Sequence, residues 1–403
     1  MFERILKFLR ILIYSKFEFS NPDPKQLIVF DNSDIFSLKQ HILKNYNYFV
    51  LEDRGHLITK FYFSFKIFKN ILVYKKYGIF LAYKISLIKA VNPKLILTFI
   101  HNSENFSKCA QILKKEYNFL AIQNSSFYYR VREANFLKQK ISKDKKLFLP
   151  HLLAYSKLDK DNYLLESKVV VKKFDYVGSL RLANFKNRLK KKIFIPKRNN
   201  YDICLLSEVG SWELVDKKLD LKFAKLIKFV VKYAIEKNKK IIFALKRQKN
   251  IKGYAKQSRY VIRGYYNEQS WYKKHFNKTE YNYLKKNFKY NYPFSSYEAA
   301  EESKVVIASM STMLREFFSQ KKKILACNFT SNNVYDFPIK GISSINYDCD
   351  YEYFKKRLDR IFKISVKKYF KEVKFKNNYD LNCNKKNQTI QKINIIIKEY
   401  LKD

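Results

Sequence analysis

Residues 296–329 read SYEAAEESKVVIASMSTMLREFFSQKKKILACNF. Within them the apolar, β-branched run KVVIAS (304–309) stops at Ser309-Met310-Ser311-Thr312. The helix-forming stretch TMLREFFSQ follows at once, and a second apolar run, KILACN, comes after Lys321 and Lys322. Strand, turn, helix and strand in such close order describe a βαβ unit of a parallel sheet. At its turn, hydroxyls and backbone N–H groups meet at a helix N-terminus, which binds phosphate. In a parallel sheet that turn also lies at the carboxyl edge of the strands, where open α/β folds hold their ligands. The same residues have a plainer use, since Ser and Thr are ordinary helix caps and Glu316, one turn in, complements the helix dipole. Local chemistry leaves both readings open.

The alternation of short β-rich runs with longer amphipathic stretches extends outward from this unit in both directions. Toward the N-terminus the expected strands are QLIVFDNS (26–33), YFVLED (48–53), PKLILTFIHN (93–102), NFLAIQNS (118–125) and LFLPHLLAYS (147–156). Helix-like segments lie between them, among them the span 57–90 and ENFSKCAQILKKEY. The basic stretch LANFKNRLKKKIFIPKRNN (182–200) contains Pro196 and reads as an interdomain linker. A second series follows: YDICLLSE (201–208), the helix KFAKLIKFVVKYAIEKN, the strand KKIIFALKR (239–247), a Tyr-rich stretch and the unit quoted above, with two basic helices at the end. The chain is thus expected to be an α/β protein of two Rossmann-like domains, 1–190 and 191–403, a division that suits a length of 403 residues.

Composition narrows the class. Apolar residues make up 47% of the chain, with only seven glycines and seven prolines, so disordered and fibrous classes are excluded. The formal charge of +46 suits a polyanionic partner. Lys outweighs Arg and is spread through every segment, however, whereas nucleic-acid readers gather Arg and Lys in one stripe. No specific nucleic-acid partner is therefore expected, and an anionic membrane surface is the better match. Five cysteines lie far apart, without zinc or redox spacing, and fit a reduced cytoplasmic setting. No apolar run is long enough to span a bilayer, and Lys7, Arg10 and Lys16 interrupt any signal-peptide pattern. Phe2, Ile5, Leu6, Leu9, Leu12 and Ile13 fall at helical spacing, which suits either an interfacial helix or packing on a domain core.

The run YEAAEESKVVIASMSTMLREFFSQKKKILACN resembles the nucleotide-binding element of GT-B glycosyltransferases. The ordered segments PKLILTFIHNSENF, NFLAIQNSSFYY, FDYVGSLR and FALKR extend that likeness to a family of sugar transferases of bacterial surface carbohydrate biosynthesis. The resemblance implies two Rossmann-like domains facing across a cleft, a nucleotide-sugar donor, and a glycan or lipid-linked glycan acceptor such as lipopolysaccharide or capsule. It implies no cofactor and no metal. Ser309, Ser311 and Thr312 would face the donor phosphates and Glu316 the ribose. Lys246 and Arg247 would neutralise charge on the leaving nucleotide, although both also read as a solvated strand end. The N-terminal domain would supply the acceptor side and a catalytic base. The candidates there are His101 with Asn102, Gln123 with Asn124, and His56 with Asp53, all just past expected strand ends. Histidine suits a base because its ordinary pKa lies near ambient pH. The family pattern places acidic residues where this chain has His56 and His101, so the base stays open. Gly178, Ser179 and Arg181 would line the cleft, or the glycine would only provide a positive φ.

Asp348-Cys349-Asp350 has the D-x-D spacing of a metal-binding motif, but it comes after the last expected strand and reads as a surface turn. The expected activity is sugar transfer by a cytoplasmic protein, peripheral to the inner membrane face. The alternatives are polyol-phosphate transfer of the teichoic-acid type and a non-catalytic basic protein that binds nucleic acid or lipid.

Overall fold

The computed structural model describes residues 13, 15–32, 34–53, 58–125, 147–164, 169–197, 199–208, 217–248, 268–291, 294–331, 335–373 and 388–402. Among these, two compact units are found. The first holds the described residues up to Ser125, those of 147–184, and 388–402; the second runs from Phe185 to Val373.

The strands of the first unit are β1 (Lys16–Glu18), β2 (Leu27–Phe30), β3 (Tyr48–Leu51), β4 (Lys60–Tyr62), β5 (Leu95–Thr98), β6 (Asn118–Ile122), β7 (Leu147–Ala154) and β8 (Val169–Tyr176). Six of them form one all-parallel sheet in the order β3-β2-β5-β6-β7-β8, and β1 pairs with β4 in a separate ribbon. The helices are α1 (Ile35–Lys39), α2 (Phe65–Tyr74), α3 (Ile79–Val91), α4 (Glu104–Leu113), α5 (Lys157–Leu164) and α6 (Leu180–Lys190), whose last residues belong to the second unit. The expected strands around residues 26–33, 48–53, 93–102, 118–125 and 147–156 are β2, β3, β5, β6 and β7. The apolar runs of β2, β5, β6 and β7 are largely buried because helices cover the sheet, whereas β3, at its edge, is half-buried except for Leu51.

The second unit contains β9 (Tyr201–Leu206), β10 (Ile241–Gln248), β11 (Phe288–Asn291), β12 (Ser303–Ala308), β13 (Lys323–Cys327) and β14 (Ser344–Ile345). They make a parallel sheet in the order β11-β10-β9-β12-β13-β14. Its helices are α7 (Lys217–Glu236), α8 (268–275), α9 (Lys278–Lys286), α10 (Ser295–Glu301), α11 (Thr312–Ser319), α12 (Tyr351–Lys363) and α13 (Val366–Glu372). The chain has the α/β architecture of parallel sheets.

Two expectations are corrected. The stretch read as a linker begins inside α6, where the consecutive residues Leu182, Ala183, Asn184 and Phe185 are all buried. The last helix, α14 (Gln388–Lys402), was expected to close the second domain but packs on the first sheet. Its Ile393 and Ile397 are fully buried in the core with Leu27, Leu95 and Leu97. At its end the Tyr400 hydroxyl lies 2.9 Å from His151 Nδ1, and His151 Nε2 lies 2.7 Å from Asp175 Oδ2. With the Tyr400 hydroxyl donating, the neutral imidazole carries its proton on Nε2 and donates it to the carboxylate. Burial lowers the His151 pKa and favours this neutral form.

Removing side-chain volume from that contact should therefore act on the first unit. Ile397→Ala is expected to cost about 2–5 kcal/mol, and Tyr400→Phe about 1 kcal/mol, read as shifts of the urea midpoint. Unchanged midpoints would show that α14 does not hold the first sheet together.

Candidate functional site

In each sheet the first strand lies in the interior, so the chain leaves it on one side and returns on the other. Such a reversal is the topological switch point at which open parallel sheets bind ligands, just outside the carboxyl ends of the strands. In the second sheet the reversal falls between β9 and β12, whose register sets Leu205 opposite Ile307. Continuing past these strands brings Ser207 and Glu208 beside Ser309 and Met310.

The Glu208 carboxylate is seated on this turn. It accepts from the Ser309 N–H at 2.7 Å and from the Met310 N–H at 3.0 and 3.1 Å. Glu208 is only 6% exposed, so these bonds act in a largely water-free place. Ser311 caps α11 in extended backbone, its Oγ accepting from the Met313 N–H at 3.3 Å. The helix dipole adds positive potential where the carboxylate lies. Beside this, the buried Glu268 of α8 accepts from the Ser207 hydroxyl at 2.5 Å, from the Tyr272 hydroxyl at 3.2 Å and from the Lys246 N–H at 3.2 Å. This network ties the ends of β9 and β10 to α8, and burial next to Glu268 pushes the Tyr272 pKa well up.

The donor-side residues read from the sequence are thus partly gathered. Ser309, Ser311, Thr312 and Lys246 share the carboxyl edge of one sheet. Glu316 does not join them: it is 1% exposed, and its Oε2 accepts from the Tyr297 hydroxyl of α10 at 2.7 Å, so its expected ribose contact is replaced by an internal one. The neighbouring Arg315 is equally buried, and burial lowers its pKa to about 9. Arg247 lies in β10, but its side chain is outside the described residues. Asp348 pairs with Lys222 and Lys225, and Asp350 caps α12 by accepting from the Tyr353 N–H at 2.8 Å, so the D-x-D carboxylates serve a surface turn. Among the described residues no three His, Cys, Asp or Glu side chains form a metal-holding group.

At the carboxyl edge of the first sheet the candidates are close in space but occupied with one another. His101 is fully buried beyond β5, and its Nδ1 accepts from the Asn124 N–H at 3.3 Å. That bond puts the proton of the neutral ring on Nε2, and burial lowers the pKa to about 3. A ring already protonated on Nε2, with Nδ1 engaged, is a donor at neutral pH, which corrects the reading of His101 as a base. Asp53 is ion-paired with the nearly buried Lys84 and accepts from Asn105 Nδ2 at 2.8 Å. It thereby ties the end of β3 to α3 and α4 instead of offering a free carboxylate. His56 lies outside the described residues.

Gln123 is likewise engaged, donating to Asp159 Oδ1 at 2.8 Å and accepting from the Tyr155 N–H at 2.9 Å. The Asn124 carbonyl accepts from Arg181 Nη1 at 3.1 Å, and the same guanidinium pairs with Asp34 through Nε at 2.6 Å. Asn102, next to His101, is half-buried. Gly178 has φ +84°, the backbone conformation its residue type favours, and Ser179 Oγ caps α6 by accepting from the Leu182 N–H at 3.3 Å. Sequence reading missed Glu208, Glu268 and Tyr272 on the second sheet and Asp159 on the first. Asp159 is buried, and desolvation raises its pKa to about 6. For Glu208 the one available signal was the polar ending of its strand run, which marks the edge but not the residue; Asp159, Glu268 and Tyr272 lie in helices.

No model of a known protein family matches the chain, and no curated protein sequence matches it. Solved structures do. A structure of the wall teichoic acid polymerase TagF is similar at a TM-score of 0.51 and 12% identity, over 94% of this chain and 89% of that one. Another TagF structure gives 0.50 and 12%, over 100% and 98% of the two chains. A structure from Listeria monocytogenes assigned as a UDP-N-acetylglucosamine 2-epimerase gives 0.51 and 10%, over 93% and 96%. At such identities the likeness is one of fold, and with the two parallel-sheet units it shows that the chain has the GT-B fold.

Proposed function

We propose that the chain is an enzyme that transfers a sugar from a nucleotide-sugar donor to a glycan or lipid-linked glycan acceptor of bacterial surface carbohydrate, such as lipopolysaccharide or capsule. The carrying observation is the seat of the Glu208 carboxylate on the N–H groups of Ser309 and Met310. A carboxylate resembles the oxygen pair of a phosphate, so its seat marks a place built to stabilise an anion at a switch point. In this proposal the donor phosphate takes that seat and Glu208 swings away. The Thr312 hydroxyl and Lys246 meet the remaining oxygens, and the N-terminal end of α11 offsets charge on the leaving nucleotide. No metal enters the proposal. Neither His101 nor Asp53 acts as its base. A cytoplasmic location and contact with an anionic membrane face belong to the same reading.

A second reading, polyol-phosphate transfer, takes its support from the likeness to TagF. The two differ in the bond that breaks. Attack at an anomeric carbon releases a nucleoside diphosphate, whereas attack at the outer phosphorus of a diphosphate donor releases a nucleoside monophosphate. A melting screen against UDP, GDP, ADP, CDP and CMP is expected to show stabilisation by one nucleoside diphosphate. Failure of all five to raise the melting temperature would remove the donor site. Lys246→Ala is expected to weaken that nucleotide about tenfold, and Glu208→Ala to tighten it severalfold by removing the competing carboxylate. Weaker binding by Glu208→Ala would show that the phosphate does not take its seat.

The state of His101 is tested separately by acid. Its folded pKa of about 3 lies below the ordinary 6.5, so between those values the unfolded chain binds a proton that the folded chain does not. Its contribution is complete above about pH 6.5 and is lost as pH falls, by about 2 kcal/mol at pH 5. Asp159, whose pKa is raised to about 6, acts in the opposite direction, so the comparison must be with a single variant. The stability difference between wild type and His101→Gln should shrink from pH 7 to pH 5. A constant difference would show that His101 titrates normally.

A further inference from the structure

The helical hairpin α2–α3 of the first unit carries an apolar face that the described fold does not cover. Six of the ten residues of α2 are Phe, Ile, Leu or Val, yet only Ile67 is buried. Phe65, Phe68 and Leu72 follow one another at i, i+3 and i+7 on the outward side, exposed by 83%, 59% and 49%. Ile79 and Phe80, where α3 begins, are exposed by 67% and 69%. So large an uncovered apolar surface marks a place of contact.

Its charge identifies the contact. Lys66, Lys69, Lys75 and Lys76 stand exposed among these residues. Between Asp53 and Glu104 the chain carries nine basic residues and no acidic one. Two copies of the chain meeting through this face would set lysines against lysines, since the hairpin itself carries no carboxylate and the neighbouring Glu116 is already paired with Lys89, and protein interfaces are depleted in lysine. An anionic lipid surface satisfies both features: aromatic and aliphatic side chains enter the acyl boundary while lysines extend to the headgroup phosphates. The hairpin is anchored for such a load. Ser64 caps α2 and donates to Asn21 Oδ1 at 2.6 Å, and the Tyr62 N–H of the β1–β4 ribbon donates to the Tyr83 hydroxyl of α3 at 2.8 Å.

We propose that the α2–α3 hairpin is a membrane-docking surface that lays Phe65, Phe68, Leu72, Ile79 and Phe80 into the interface of an anionic bilayer. The proposal rests on the membrane contact of the function above and gives it a place, but it does not depend on the donor site. The test is flotation of the full chain with phosphatidylglycerol–phosphatidylcholine vesicles, against phosphatidylcholine alone. Wild type is expected to bind the anionic vesicles at least tenfold more tightly. The combined variant Phe65→Ser, Phe68→Ser, Leu72→Ser should lose at least tenfold in binding, as should Lys66→Glu, Lys69→Glu, Lys75→Glu, Lys76→Glu. Both should keep the wild-type melting temperature and nucleotide response, since every changed side chain is exposed. A control with the exposed residues Lys273→Glu, Lys274→Glu, Lys285→Glu, Lys286→Glu should bind as wild type. Three results would overturn the proposal: no flotation of wild type, an equal loss in the control, which would assign binding to diffuse charge, or a concentration-dependent dimer abolished by the serine variant. No flotation of wild type that still responds to nucleotide would remove this surface and leave the donor reading standing.

Discussion

The backbone hydrogen bonds that set Leu205 of β9 opposite Ile307 of β12 are the contact on which the candidate site depends. Side chains alternate along a strand, so a slip of one residue would exchange the faces of Ser207 and Glu208 and separate the carboxylate from the Ser309–Met310 turn. The strand order gives this register its meaning. β9 comes first in its sheet yet lies inside it, with β10 and β11 on one side and β12, β13 and β14 on the other. The connections leaving β9 and β12 therefore part at this point, and the edge of the sheet opens where an amide-rich turn and a helix N-terminus already lie.

The two sheets end in different kinds of electrostatics. At the first sheet, side chains close on one another: Asp53 with Lys84, Asp34 with Arg181, Gln123 with Asp159. Breaking the buried ties, Asp53 with Lys84 and Gln123 with Asp159, strands a charge or a donor, which is costly, so they behave as structure. At the second sheet a carboxylate rests on backbone N–H groups. In the proposed function another anion takes the same place without stranding them. That difference supports the proposed placing of the donor phosphate at the second edge, although the sequence offers more histidines and amides at the first.

The helix-covered strands were legible because burial on both faces demands continuous apolar runs, as in LIVF of β2 and VVIA of β12. β8 was not among the expected strands. It is an edge strand whose VVVKKFDY interrupts the run with the exposed Lys172 and Lys173. The place of α14 was beyond local reading, since Ile393 and Ile397 find their core partners some 300 residues earlier in the chain. In the site, Ser311 could be read as a cap because capping is a local interaction. Glu316 could not be placed, because the hydroxyl that claims it, that of Tyr297, lies on the preceding helix and across an intervening strand. Glu208 was one polar residue among many at strand ends, and only the pairing of β9 with β12 singles it out.

The central claim is that the turn after β12 receives the phosphate of a nucleotide donor. Hydrogen exchange of the backbone amides, measured with and without a saturating nucleoside diphosphate, addresses it most directly, because the claim concerns amides. The account predicts slower exchange concentrated in residues 309–313, with none of comparable size at the ends of β5 and β6. Unchanged exchange across 309–313 in the presence of a nucleotide that demonstrably binds would contradict it.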